Sequence, residues 1–289
     1  MTAQPEVKGF FDEETFTISY VVADPATKAC AIIDSVLDFD QASGRTGTGS
    51  ADKLISYVRD RGFECEWIID THVHADHLTA APYIKRALGG RTAIGDQVPV
   101  VQATFSKVFN EGAAFRTDGA QFDHLFHDGE TYAIGDVQAR AIHTPGHTPA
   151  CMCHLIGDAA FVGDTIFMPD FGTARCDFPG GDAGRLFDSI HKLFELPDET
   201  RVFLCHDYKA PGRDEYVWET TIRAEKAENI HIKTGTSRDA FTAMRRARDA
   251  TLAMPKLILP SVQVNMRAGE MPPPEGNGLS YLKLPIDAL

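Results

Sequence analysis

Two patterns of apolar residues alternate along the chain, and they predict different elements. Residues 16–22 and 29–33 are short β-branched runs separated by an Asp-Pro pair, which is typical of antiparallel strands joined by a turn. Residues 51–61 instead carry leucine, isoleucine and valine at helical spacing, behind Ser50, which favours a helix N-cap. Strand runs and helical runs alternate through most of the chain, which indicates a layered α/β fold.

The same patterns predict the remaining elements in chain order. Further helices are predicted over residues 78–88, 98–109, 182–194, 215–229 and 238–254. Further strands are predicted over residues 67–69, 91–94, 137–143, 150–156, 159–162 and 201–204. The polar, Gly-rich stretch 34–50 is predicted to be a mobile loop, and residues 257–289, rich in Pro and Gly, are predicted to wrap the surface.

The bulk composition limits the kind of protein. The chain has 289 residues, of which 43% are hydrophobic, so it can bury the core of one large domain. Its formal net charge of −13 argues against non-specific binding to nucleic acid or to anionic membranes, although a local basic pocket can still take an anionic substrate. Six cysteines without a Cys-x-x-Cys pair do not form the pattern of a disulfide framework in a chain of this length.

Nothing in the sequence indicates export or insertion into a membrane. Residues 1–14 are acidic and lack the basic and apolar regions of a secretory leader. No apolar run reaches the length of a transmembrane helix. We therefore expect a cytoplasmic protein.

The densest chemistry follows the apolar run at residues 67–69. The next turn contains His72, His74, Asp76 and His77 within six residues. Imidazole is the commonest metal-binding side chain, and a carboxylate adds a hard oxygen and negative charge. A solvated loop with incidental histidines rarely has this density, so the motif predicts a metal site.

Three later strand-like runs also end in groups that can bind a metal. The predicted strands that start at residues 137, 159 and 201 lead to His147, Asp164 and His206, respectively. Donors that follow strands at one edge of a layered α/β fold can meet in a single crevice. We therefore predict that these three residues and the motif at 72–77 share one site.

This set of donors resembles the metallo-β-lactamase superfamily across nearly the whole chain. The resemblance implies an α/β fold, the αββα four-layer metallo-β-lactamase sandwich, with the metal site at one edge of its two sheets. It implies a single domain over residues 1–289, in which a C-terminal extension of about 230–289 covers the substrate pocket. Because one fold hosts many reactions, the fold does not fix the chemistry.

Four shorter segments are similar to the persulfide dioxygenase, or sulfur dioxygenase, branch of that superfamily. They are residues 71–79, 172–178, 205–208 and 264–269. The resemblance implies oxidation of glutathione persulfide by O2 to sulfite and glutathione. It also implies one Fe(II) per chain, held by His72, His147 and Asp164, a two-histidine, one-carboxylate set with open positions.

The same resemblance assigns roles to the other polar residues. His74 is expected to orient metal ligands and waters, and a catalytic role is expected for Asp76, His77, Asp177 and His206. Arg175 is expected either to pair with Asp177 as a structural salt bridge or to contact substrate. Substrate binding is expected for Arg175, Tyr208 and Arg267, the last two at the glycine carboxylate of glutathione.

Two alternatives remain open from the residues alone. A thioester hydrolase of the glyoxalase II type would hold two metals, zinc in the usual case, with Asp164 as the bridge. Its first metal would take His72, His74 and His147, and its second Asp76, His77 and His206. A metal-binding scaffold without turnover is the third possibility, against which the open coordination positions argue. By analogy with the family, a homodimer is expected, with glutathione persulfide and O2 as small-molecule partners.

Overall fold

The computed structural model describes residues 4–287, so residues 1–3 and 288–289 of the predicted domain lie outside the described part. The strands are β1 (Glu6–Asp12), β2 (Thr17–Ala23), β3 (Ala29–Ile33), β4 (Val36–Asp40), β5 (Arg45–Gly47), β6 (Glu64–Ile69), β7 (Leu78–Thr79), β8 (Arg91–Gly95), β9 (His124–Phe126), β10 (Thr131–Ile134), β11 (Val137–His143), β12 (Met152–Ile156), β13 (Ala159–Phe161), β14 (Arg201–Phe203) and β15 (Glu219–Thr221). The helices are α1 (Gly49–Asp60), α2 (Ala81–Leu88), α3 (Val98–Val108), α4 (Ala183–Phe194), α5 (Ile222–Glu228), α6 (Arg238–Asp249) and α7 (Ile258–Asn265). Within residues 4–287, no helix has the length and apolar character needed to cross a membrane.

Two six-stranded sheets lie face to face at the centre of the fold. Their strand orders are β1-β2-β3-β6-β8-β9 and β10-β11-β12-β13-β14-β15. The facing sides bury apolar side chains from both sheets, among them Ile18, Ile33, Trp67, Phe126, Met152 and Phe161. Removal of this surface from water, worth about 25 cal/mol per Å², is the main force that holds the sheets together.

Helices cover the outer face of each sheet. On the first sheet, α1 and α2 bury the apolar side chains that the helical spacing predicted, including Leu54, Val58 and Ile84. On the second sheet, α4 and α6 bury Leu186, Ile190 and Phe241 against the strands. The order of layers is therefore helix, sheet, sheet, helix, and the predicted αββα fold class is confirmed.

The strands that lead to the candidate metal donors end at one edge of the two sheets. There backbone hydrogen bonds join the sheets, among them the bonds from Ile18 N–H to Cys205 O at 2.7 Å and from Met152 N–H to Thr71 O at 2.9 Å. Thr71 directly precedes the histidine motif and Cys205 directly precedes His206. These bonds therefore fix donors from the two sheets relative to each other.

The prediction of a loop over residues 34–50 is wrong. The stretch contains β4 and β5, which form a small third sheet with β7. Ser50 also lies inside α1 and does not cap it. Asp38 supplies the cap instead, because its carboxylate accepts the N–H groups of Gly49 at 2.8 Å and Ser50 at 3.2 Å.

Three other segments differ from their predicted form. The predicted surface tail over 257–289 begins with α7, which is buried along most of its length. The helix predicted over 215–229 is reduced to α5, because residues 219–221 pair with β14 as β15. The helix predicted over 78–88 begins three residues later, since its first two residues form β7. These short strands show no periodic pattern of apolar residues. They form because a neighbouring strand pairs with them, so the sequence alone does not predict them.

Glu225 on α5 should make the stability of the fold depend on pH. Burial raises the pKa of Glu225 to about 8, against the opposing effect of a hydrogen bond from Asn229 Nδ2 at 2.7 Å. The unfolded chain ionises near the ordinary value of 4.5, so the native state holds one more proton between these two pH values. The free energy of unfolding therefore contains a contribution that falls as pH rises through this window, at about 1.4 kcal/mol per unit.

We expect Glu225→Gln to remove this contribution, because glutamine keeps a neutral acceptor for Asn229. Urea unfolding at pH 5 and pH 9 should give a smaller loss of stability for the variant than for the parent protein. Equal losses in the two proteins would show that Glu225 is not protonated in the native state.

Candidate metal centre

A buried aspartate that the sequence analysis did not single out holds the histidine motif in place. Asp34, at the end of β3, accepts the N–H of Thr71 at 2.7 Å and the Thr71 hydroxyl at 3.0 Å. Its Oδ1 also lies 2.9 Å from His74 Nε2. Burial alone would raise the pKa of Asp34, but His74 and the hydrogen bonds from Thr71 outweigh it and hold that pKa below its ordinary value. Asp34 is therefore an anionic anchor for the motif.

Asn265, on the last turn of α7, holds the same motif from the other side. Its Nδ2 donates to the carbonyl oxygens of His74 at 2.9 Å and His77 at 2.8 Å, and its Oδ1 accepts the N–H of Thr79 at 2.8 Å. Backbone groups in a buried turn need such partners, because an unpaired one is costly. The motif is thus clamped between β3 and α7, which fixes the directions of its imidazoles.

His72, His147 and Asp164 meet at the sheet edge without bonding to one another. The Nε2 atoms of His72 and His147 lie 3.9 Å and 3.7 Å from Asp164 Oδ2. His147 Nδ1 donates to the backbone oxygen of Arg175 at 2.8 Å, which leaves Nε2 with a free lone pair. Such a backbone partner on the far nitrogen is the usual arrangement for a histidine that binds a metal.

Asp76 and His206 form a second group beside the first. His206 Nε2 lies 3.0 Å from Asp76 Oδ2 and 3.4 Å from Asp164 Oδ1, while Nδ1 lies 3.3 Å from the backbone oxygen of Phe16. Burial lowers the pKa of His206, but the charges of Asp76 and Asp164 prevail and raise it to about 10. Both ring nitrogens of His206 therefore face oxygen acceptors.

The residues fit a bound metal ion. Four buried donor atoms of this site have no hydrogen-bond partner in the described part of the chain: His72 Nε2, His74 Nδ1, His77 Nε2 and Asp164 Oδ1. Buried polar atoms are nearly always satisfied in native proteins, so four such atoms in one place indicate a missing ligand. Imidazole nitrogen and carboxylate oxygen suit iron, zinc and manganese alike, so the donor set does not identify the metal.

The candidate centre opens into one large cavity of about 1040 Å³. Asp76, His77, His147 and Asp164 line its inner end, and aromatic side chains cover the neighbouring wall. This volume accommodates a peptide-sized ligand, and its mixed apolar and charged lining is typical of substrate sites.

Tyr208 and Arg175 both line this cavity, as a substrate-binding role requires. The Tyr208 ring stacks on His206 with its centroid at 5.6 Å and also contacts Phe167 and Phe171. Its loop is held by Arg213, which bonds to the carboxylates of both Asp170 and Asp207. The position of Tyr208 is therefore fixed beside the candidate metal donors.

Asp177, for which a catalytic role is predicted, does not line the large cavity. Its two carboxylate oxygens bind Arg175, at 2.5 Å to Nε and 2.6 Å to Nη2. It lines a separate shallow pocket beside α4 rather than the large cavity. Asp177 therefore positions Arg175, whose backbone oxygen in turn holds His147, and a catalytic role for Asp177 stays a prediction.

Arg267, for which a substrate contact is predicted, lies outside the large cavity. Its guanidinium lies 2.6 Å from Glu111 Oε2 and 4.4 Å from the ring centroid of Phe115. All three residues line another cavity, formed with the segment that follows α3. Because α7 directs Asn265 toward the histidine motif, Arg267, two residues later, points away from it.

The amino-acid sequence and the fold have clear relatives. The family model described as the metallo-beta-lactamase superfamily matches residues 13–206. A "Probable metallo-hydrolase" of Burkholderia pseudomallei is 56% identical over 98% of this chain and 99% of its own length. The "Glyoxylase B2" of Dictyostelium discoideum is 49% identical over 100% of this chain and 99% of its own.

Proteins named for persulfide oxidation are more distant. The mitochondrial "Persulfide dioxygenase ETHE1" of Bos taurus is 27% identical over 93% of this chain and 90% of its own length. The crystal structure of ETHE1 from Myxococcus xanthus is 30% identical, covers 92% of this chain and all of its own, and superposes with a TM-score of 0.72.

Proposed function

Because the chain belongs to the metallo-beta-lactamase superfamily, we propose that it is a persulfide dioxygenase with one Fe(II) held by His72, His147 and Asp164. The net reaction converts glutathione persulfide, O2 and water into glutathione, sulfite and two protons. Fe(II) with open positions supplies the redox chemistry that allows O2 to react with a sulfur atom.

One observation carries this proposal. Three donor atoms from three separate strand ends face one point, and none of them is bonded to another. Two histidines and one carboxylate on a single face leave the opposite face free, and here that face is the large cavity. O2 and a persulfide sulfur both need free positions on the same ion, which a fully ligated structural site does not provide.

The neighbouring residues have separate tasks in this reaction. The contact of His206 with Asp76 and the contact of its Nδ1 with the Phe16 oxygen favour a protonated ring. A protonated His206 does not ligate a second metal, and its Nε2 can give a proton to the glutathione thiolate when the sulfur–sulfur bond breaks. Asp34 and Asn265 keep the motif rigid, and Tyr208 shields the site from bulk water.

A second candidate function is a two-metal thioester hydrolase of the glyoxalase II type. The names of the Burkholderia and Dictyostelium relatives favour it. The unpartnered His74 Nδ1 and His77 Nε2 also favour it, since a second metal would satisfy them. Such a pair of metals activates water for attack on a carbonyl carbon.

An assay on one preparation separates the two functions. Protein purified without oxygen is loaded with Fe(II) or with Zn(II), then supplied with glutathione persulfide in an oxygen electrode, and sulfite is measured. We expect O2 uptake and sulfite in equal amounts from the iron form and neither from the zinc form. Rapid hydrolysis of a glutathione thioester without O2, together with no O2 uptake by the iron form, would overturn the dioxygenase in favour of the hydrolase.

A further inference from the structure

We propose that Cys30 and Cys65 are a redox-active thiol pair, which a small disulfide such as oxidised glutathione converts reversibly into an intramolecular disulfide. All six cysteines of the chain are free thiols in the structure. These two lie at the starts of β3 and β6, whereas the metal donors follow the other ends of the strands. The pair takes no part in the proposed reaction, so this inference does not depend on the proposed function.

The first sheet brings the two thiols side by side. β3 and β6 are parallel neighbours, and Cys30 and Cys65 are direct partners in their register. Neighbouring strands lie about 4.8 Å apart, and paired residues point to the same side of the sheet. A disulfide joins residues whose Cα atoms are roughly 4.4–6.8 Å apart, so the spacing of these strands fits one.

The two side chains also contact each other beneath the helices. Cys30 belongs to the apolar cluster that α1 and α2 cover, and Cys65 packs against this cluster. The Cys30 thiol is in hydrogen-bond contact with Cys65, and this contact, ahead of burial, raises the pKa of Cys30. Formation of a disulfide therefore needs a rotation of two side chains and no separation of the strands.

The two thiols differ in their access to solvent. Cys30 is fully buried, whereas Cys65 is half-buried. Gly90 packs directly over Cys65, where a Cβ atom at position 90 would lie 3.2 Å from Cys65 Sγ and 3.1 Å from the Cys65 oxygen. A side chain at position 90 would crowd this sulfur, and glycine leaves it accessible. Cys65 is therefore the thiol that a small disulfide reaches first.

A β-bulge beside the pair makes a disulfide labile. The register of β3 and β6 shifts directly after Cys30, where Glu66 has no partner on β3. Bulges increase the local twist of the strands, so a disulfide at this place is strained. Strained disulfides are reduced more easily than structural ones. We therefore expect the bond to form and to break with the ratio of oxidised to reduced glutathione.

The exchange balances with oxidised glutathione as the oxidant. The Cys65 thiolate attacks one sulfur of oxidised glutathione, which forms a mixed disulfide and releases one glutathione thiolate. The Cys30 thiolate then attacks the Cys65 sulfur, which forms the bond between the two cysteines and releases the second glutathione thiolate. The two protons lost by the cysteines pass to the two glutathione thiolates.

The bond would close a loop that forms one wall of the large cavity. Residues 31–64 lie between the two cysteines and include β4, β5 and α1. This segment contributes Val36, Phe39 and Lys53 to the lining of the cavity. Because a cross-link lowers the entropy of the unfolded chain, the oxidised protein should have a Tm about 4 °C higher than the reduced protein.

Mass spectrometry of the metal-loaded protein tests the pair. After treatment with oxidised glutathione, digestion without reductant should give two peptides joined through Cys30 and Cys65, and dithiothreitol should separate them. Cys30→Ala should instead keep one glutathione on Cys65, because the thiol that displaces it is missing. Cys65→Ala should stay unmodified at Cys30, which small disulfides do not reach.

Cys153 provides a matched control. It is as buried as Cys30, but its partner in the register of β11 and β12 is Ile142 rather than a thiol. Cys153→Ala should form the Cys30–Cys65 bond and show the same rise in Tm as the parent protein, and circular dichroism checks that each variant is folded. The proposal is overturned if the parent keeps both thiols free or retains glutathione on Cys65 without forming the bond. A bond that fails to raise Tm would refute it as well.

Discussion

Metal content and O2 uptake should fall together, each by at least about 100-fold, when His147 is replaced by alanine. His147 supplies one of only three ligands in the proposed site, and partners that merely support a ligand already cost 10- to 100-fold when removed. The fold should survive, because His147 lies at the cavity wall and its ring makes one hydrogen bond, to the Arg175 oxygen. Elemental analysis, circular dichroism and the oxygen electrode measure the three quantities.

A surface histidine provides the control for this variant. His127 is exposed and paired with Asp96 at 2.7 Å, outside the large cavity. His127→Ala should therefore bind metal and consume O2 like the parent protein. Retention of a full metal content by His147→Ala would show that the other donors, rather than the proposed three, hold the ion.

Replacing Asp34 should have the second largest effect, although Asp34 touches no metal. Asp34→Ala would leave the Thr71 N–H, the Thr71 hydroxyl and His74 Nε2 without their buried acceptor. Loss of one partner from such a buried charged network costs about 3–5 kcal/mol of unfolding free energy. The backbone of Asp34 is also left-handed, with φ of +51°, which asparagine tolerates better than alanine. We therefore expect Asp34→Asn to be less destabilised than Asp34→Ala.

A measurement of metal affinity distinguishes an anchoring role of Asp34 at the metal centre from a general contribution to the stability of the fold. Both variants should bind metal about 10- to 100-fold more weakly, because the Thr71 hydroxyl, which lies 3.0 Å from Nδ1 of the ligand His72, is no longer held by the Asp34 carboxylate. Asp24 is an equally buried aspartate that accepts the N–H groups of Ala26 and Asp136, far along β2 from the centre. Asp24→Asn should lose stability without losing metal affinity. A similar loss of affinity in Asp24→Asn would mean that Asp34 has no specific role.

Most of the candidate metal donors are predictable from the sequence because they directly follow predicted strands. His147, Asp164 and His206 each follow an apolar run, and residues in that position come to the edge of a sheet whatever the details of the loops. Asp34 follows the apolar run of β3 in the same way, so the same signal was available for it. It was missed because no histidine stands beside it and because the next residues are polar and Gly-rich.

Local sequence pattern does not predict the direction in which an isolated side chain points. The residues next to Arg267 in the chain predict a substrate contact for it. In the structure it contacts Glu111 and Phe115, which come from a distant segment of the chain.

Anomalous diffraction from a crystal of the iron-loaded protein tests the central claim most directly. The account predicts one iron peak per chain, bonded to His72 Nε2, His147 Nε2 and Asp164, with His206 still in contact with Asp76. Two metal peaks bridged by Asp164, with His74 on the first and His77 and His206 on the second, would contradict it and establish the hydrolase type of centre.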